Sequence, residues 1–305
     1  MTVATTDTLF AELVAWHGLL NAARQPAYHL YALIDGVLDP SLLGEAERSH
    51  AEWRGLYPEK MLESRTPEMG PFLVALTPGN AAHDAFMHAL LERAQAIEVV
   101  IWVASRHPIN ALAAHLHAYA EVKLPDGRGA LLRHYDPSIL EILVSMFDAR
   151  QRADFLTGAR EYRYWRAGWQ SVAGSDAETL PEAPADWITL TPAQFQLLSN
   201  ESFADTLYLR LRDELLPPAN VMDSRDCIQT IRTLLARATQ THGLKNQSDL
   251  AYFSLLGLNV HPWFDLHEAI AKVLAEQKDS DKPLATKLAS VDASVWDALL
   301  RERGA

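Results

Sequence analysis

A chain of 305 residues, 49% of them apolar and 22% charged, can bury a substantial core, which excludes a disordered tail and leaves room for two domains. With 39 acidic against 27 basic side chains the formal net charge is −12, a sign that repels phosphate backbones, so no nucleic-acid partner is expected. No apolar run approaches the ~20 residues that span a bilayer, so no membrane contact is expected either.

The N-terminal stretch carries Asp7 and Glu12 where a signal peptide needs apolar residues, and the single Cys227 allows no internal disulfide. The first points to the cytoplasm, and the second permits it. Leu9 to Ala23 places Phe10, Leu13, Val14 and Leu20 at helical spacing. Tyr28 to Ile34 reads as a buried strand running into a turn at Asp35-Gly36, and Pro71 to Leu76 is a second short apolar run. Ala82 to Ala96 is helical, with Phe86, Leu90 and Ala94 on one face. Val99 to Val103 is continuously apolar, as in a strand covered on both faces. Ile109 to Ala120 is helical again.

Val122 to Leu124 and Ala130 to Tyr135 flank Pro125-Asp126-Gly127, a hairpin signal. Asp136-Pro137 ends the second strand, and Ser138 is placed to cap a helix through Leu140, Leu143 and Phe147. Strands alternating with helices, together with a hairpin, predict a mixed α/β or α+β domain over residues 1–173, its mixed sheet flanked by helices. Residues 174–187, acidic and with two prolines, read as a linker. An all-α domain is expected over 188–305. It opens at Thr191, where Gln194 completes a capping box, with Leu190 and Phe195 placed as a staple; Gly243 and Gly257 read as helix stops.

Catalytic motifs are not found. No GxSxG, GxxxxGK[ST] or GxGxxG occurs, and the 14 glycines do not cluster. His115 and His117 are two apart on a helix, ~200° around its axis, and His83 and His88 align no better, so no metal and no cofactor is expected. Cys227 reads as a small buried hydrophobe. Asp35, Asp39 and Asp136 stand at strand ends, where α/β enzymes keep catalytic groups, but each also sits in a turn signature in which aspartate bonds its own backbone. Arg133, inside an apolar stretch three residues before Asp136, requires a carboxylate partner, and an Arg133–Asp136 structural pair is expected, with a partner-contact role as the other reading. Glu161 to Gln170 gathers Tyr162, Tyr164, Trp165 and Trp169 beside Arg163 and Arg166, the residue types of binding hot spots. Read as a strand, it sends Tyr162 and Tyr164 to one face and Trp165 to the other, so that one aromatic face fills the core while the other stays available to a partner; the other reading, which is favoured, packs both faces between the two domains.

Four blocks in order, Tyr31 to Leu43, Gly70 to Leu76, Trp102 to His117 and Leu124 to Leu140, followed by Phe155 to Gly158, resemble a conserved domain of type VI secretion effector adaptors, called Tap or TEC proteins. The similarity covers roughly residues 28–170, and the Leu124–Leu140 block is its most specific part. His134 departs from it, standing where an aromatic residue is expected, and His117 stands where a basic one is. The resemblance implies a non-catalytic adaptor, with a secreted effector and the VgrG spike protein as partners. The reading from another class is a cytosolic α/β enzyme using Asp35 and Asp136.

Overall fold

The structure is a computed structural model that describes residues 5–22, 27–57, 62–166, 168–175, 177–180, 188–217, 219–222, 224–276 and 282–303. Two compact units divide it, Met1–Leu198 and Ser199–Ala305. Among the described residues no helix is long and apolar enough to cross a membrane.

In the first unit the chain runs α1 (Thr6–Asn21), β1 (His29–Asp35), α2 (Ser41–Arg48), β2 (Trp53–Gly55), β3 (Pro71–Leu76), α3 (Ala81–Ala94) and β4 (Val100–Ser105). It continues through α4 (Ile109–Ala118), β5 (Glu121–Lys123), β6 (Gly129–Leu131), α5 (Pro137–Met146), α6 (Ala149–Leu156), β7 (Glu161–Trp165), β8 (Trp169–Ala173) and β9 (Ile188–Thr189). Six strands form one sheet in the order β2-β3-β1-β4-β7-β8, antiparallel at every junction. A smaller sheet, β6-β5-β9, holds the parallel pair, Val122 beside Ile188.

Helices cover both faces of the large sheet. Leu30, Ala32, Ile34, Phe72, Val74 and Trp102 point to one side, into a core completed by α1, α2 and α3. Tyr31, Leu33, Leu73, Ile101 and Val103 point to the other, among residues of α4, α5 and α6. The alternation has the period of two that strand geometry imposes. Here both alternating sets are apolar, which is why β1, β3 and β4 read as unbroken hydrophobic runs although they pair antiparallel.

The capping box at Thr191 forms: Gln194 N donates to Thr191 Oγ1 at 3.2 Å and Thr191 N to Gln194 Oε1 at 2.9 Å. It opens α7 (Pro192–Leu211), but the division between units falls inside that helix, not at residue 188. The reason is that β9 pairs with β5, while Leu190 and Leu198 pack on the first unit's core. The expected linker over 174–187 begins as part of that unit, since Gly174 N donates to Arg160 O at 2.9 Å and Ser175 N to Leu156 O at 3.3 Å. Residues 176 and 181–187 of it lie outside the described residues, as does Ala23 of the first predicted helix.

The second unit is helical: the rest of α7, then α8 (Ser224–Gln240), α9 (Gln247–Asn259), α10 (Glu268–Glu276), α11 (Leu284–Leu288) and α12 (Ala293–Arg303). Gly243, at φ +67°, follows the end of α8. Gly257 does not stop a helix, because α9 continues to Asn259. A Cβ there would lie 2.5 Å from Leu234 Cδ1, so the missing side chain leaves room for Leu234 of α8 against α9.

Candidate functional site

The aspartates of the three turn signatures are built alike. Asp35 Oδ1 accepts from Val37 N at 3.1 Å, Asp39 Oδ1 from Ser41 N at 3.1 Å, and Asp136 Oδ1 from Ser138 N at 2.9 Å. One carboxylate oxygen therefore fixes each turn locally, the side-chain mimic of a backbone turn. It also makes Asp136 the cap of α5, with Pro137 at the first position, where Ser138 was expected. The second oxygen of each takes an arginine. Arg93 Nε donates to Asp39 Oδ2 at 2.6 Å. Arg133 Nη2 lies 2.9 Å from Asp35 Oδ2 and 3.2 Å from Asp136 Oδ2.

Arg133 thus ties the end of β1 to the start of α5. It does not stand in a strand: β6 ends at Leu131, and Leu132 N turns back to Ala120 O at 2.8 Å. The stretch reads as strand because Leu132, His134 and Tyr135 are all buried, in a loop rather than a ladder. Its Asp136 partner is three residues away, whereas Asp35 is 98 residues away and has no signal in the local sequence. Gly36 follows Asp35 because a Cβ there would strike the Gly70 carbonyl oxygen at 2.7 Å. Tyr135 completes the cluster through a 3.0 Å bond between its hydroxyl and that of Tyr57.

Asp35 is fully buried, and burial raises its carboxyl above the usual range, with Arg133 only partly offsetting it. Arg133 is itself disfavoured by burial, but the charges of Asp136 and Asp35 more than compensate and hold it protonated. Both Asp35 oxygens are committed, one to Val37 N and one to Arg133. This geometry clamps two loops and offers neither oxygen to a reacting group. What it presents outward is the arginine, whose side chain stays 42% exposed.

The aromatic segment turns out to be a hairpin, β7 and β8, not one strand. Tyr162 and Tyr164 do share a face, but each is 1% exposed in the core shared with α4, α5 and α6. They cannot meet a partner, and that reading of them is corrected: the sheet is covered on this side as well as the other. Tyr164 donates its hydroxyl to Glu141, and Arg166 locks the same spot through Nε to Glu98 at 2.7 Å and Nη1 to Glu141 at 2.6 Å. On the opposite face Trp165 and Trp169 are half-buried and meet edge to face at 5.6 Å. Arg163 lies over Trp169 at 4.4 Å and over Trp16 of α1 at 5.4 Å, and Trp169 Nε1 donates to Glu12 at 2.8 Å.

The histidines scatter. His115 Nε2 lies 3.0 Å from Phe155 O, and burial lowers its pKa; His83 Nδ1 accepts from Thr77 N at 3.0 Å. Among the described residues no three His, Cys, Asp or Glu side chains are grouped to hold a metal. Cys227 is buried near the start of α8, its Sγ 3.6 Å from Ala219 O.

The sequence reading missed a cluster in the second unit. Asp265 is fully buried and receives Arg237 Nε at 3.0 Å, Arg237 Nη2 at 2.5 Å and His242 Nε2 at 2.9 Å. The only sequence signal is one aspartate in the apolar stretch PWFDL. Beside it Trp263, 52% exposed, lies under the Arg237 guanidinium at 4.4 Å.

A family model described as Domain of unknown function (DUF4123) matches residues 30–154, from β1 into α6, which is less than half of the chain. No curated protein matches the chain, and no solved structure does.

Proposed function

We propose that this protein is an adaptor, binding a type VI secretion effector in the cytoplasm and delivering it to the VgrG spike without catalysing a reaction. The observation that carries this reading is the DUF4123 match over residues 30–154, which falls on the same blocks that resemble effector adaptors. The Asp35–Arg133–Asp136 clamp lies on two of those blocks and positions the loops at one end of the sheet, leaving the arginine as their outward charge. Arg133, Trp165 and Trp169 are the partner-contact candidates that remain at least partly exposed.

One observation favours an enzyme: a buried carboxyl with a raised pKa, that of Asp35, is a common feature of catalytic sites. Its two engaged oxygens argue instead for a structural carboxylate. The test is co-expression of the tagged chain with candidate effector and VgrG spike proteins from the same genome. A stable complex with the effector, and loss of its secretion when the adaptor gene is deleted, are expected. An effector secreted normally without the adaptor would overturn the proposal.

A further inference from the structure

The two edges of the large sheet differ. β2, at one end, has three residues, and its Arg54 is engaged by Asn110 at 2.6 Å and Glu52 at 2.6 Å. A short, charged edge is how sheets ordinarily avoid pairing with other chains. β8, at the other end, has five residues, Trp-Gln-Ser-Val-Ala, with neither a charge nor a proline among them.

The direction of its backbone groups follows from the register. Gly174 N donates to Arg160 O and Arg166 N to Gly168 O, both at 2.9 Å, which makes 160–174 and 166–168 hydrogen-bonded pairs of the β7–β8 ladder. Hydrogen-bonded and non-bonded pairs alternate in antiparallel strands. Tyr162–Val172 and Tyr164–Gln170 are therefore bonded pairs, while Trp169, Ser171 and Ala173 turn their N–H and C=O groups away from β7. β8 is the terminal strand of the sheet, and among the described residues no turn or loop backbone bond reaches those groups. Gln170, Ser171 and Ala173 are exposed.

We propose that β8 is a docking edge that takes an extended segment of the client protein as a further strand of the sheet. The occupant is fixed by chemistry: donors and acceptors repeating every second residue along a line are matched by an extended main chain, not by a helix or a small anion. Side chains on alternate positions of that segment would lie beside Trp169 and Trp165 on one face, where Arg163 already stacks on an indole. The inference rests on the adaptor reading and names the surface through which it acts.

Ser171→Pro deletes one outward N–H and leaves every β7–β8 bond in place, and proline is tolerated at such edge positions. With an effector that the wild-type chain captures in the co-expression test as the probe, Ser171→Pro is expected to weaken capture at least tenfold, while Ser171→Ala captures like wild type. Amide exchange on the wild-type chain gives a second readout: the Ser171 and Ala173 amides should exchange fast in the free protein and slow down on capture. Undiminished capture by folded Ser171→Pro, equal loss in Ser171→Ala, or amides already protected in the free chain by its own residues or a second copy would each overturn the docking edge alone. A wild-type chain that captures no effector would overturn the adaptor reading, and the docking edge with it.

Discussion

Asp35 in the first unit and Asp265 in the second are both fully buried and both paired with an arginine, yet their carboxyl groups shift in opposite directions. Burial pushes each upward. At Asp265 three donated bonds, two from Arg237 and one from His242, outweigh that push and hold the carboxyl below the usual range. At Asp35 a single arginine nitrogen is shared with Asp136, whose own charge opposes ionisation, and burial wins. What decides the state of a buried carboxylate is how many donors it has to itself, not whether an arginine is near.

The largest expected effects test that contrast at the arginines. Arg237→Met strands the carboxylate of Asp265 and is expected to cost about 3–5 kcal/mol. Arg133→Ala is expected to cost only about 2 kcal/mol, because its side chain is 42% exposed and solvent screens the pair. Denaturant titration reads both; equal losses would break the comparison.

The carboxylates give the next contrast. At pH 7, Asp265→Asn is expected to cost about 3 kcal/mol and Asp35→Asn less than about 1 kcal/mol. The pH dependence has opposite signs. The contribution of Asp265 is complete above about pH 4, the pKa of the unfolded carboxyl, and is lost as pH falls through its lowered folded value. Asp35, raised, burdens the native state as pH rises from about 4 through its folded value, so Asp35→Asn should remove a loss of stability on the alkaline side of that window. Stability curves of both variants from pH 3 to 8 check the signs, and parallel curves would sink the explanation.

A buried histidine sharpens the acid limb. His134 is buried and its pKa is pushed down to about 4. The unfolded chain takes up that proton near pH 6.5, so this residue alone lowers stability by about 1.4 kcal/mol per pH unit as pH falls from there to about 4. Stability is fully retained above 6.5. His134→Phe, the aromatic class that the family resemblance expects there, should flatten that limb by one such slope. A residual slope from the lowered His115 and His17 will remain, and an unchanged slope would remove His134 as its source.

The sequence by itself determined the large pieces. Runs of apolar residues at β1, β3 and β4, helical stripes at α3 and α4, and the turn chemistry of Asp35, Asp39 and Asp136 are local, since each depends on periods or bonds spanning a few residues. The capping box at Thr191 is local too. What only the tertiary structure decided lies between segments distant in the chain. Whether the second apolar set on each strand faces solvent or another layer is fixed by the helices that arrive later, and that buried Tyr162 and Tyr164. The assignment of β9 to the first unit follows from a strand partner 66 residues earlier, and the second carboxylate of Arg133 lies 98 residues away. The Asp265 cluster gathers residues 23 to 28 apart around one aspartate that no period marks. Burial is a property of the assembled layers, so the charge state of these carboxylates could not be read before the layers were in place.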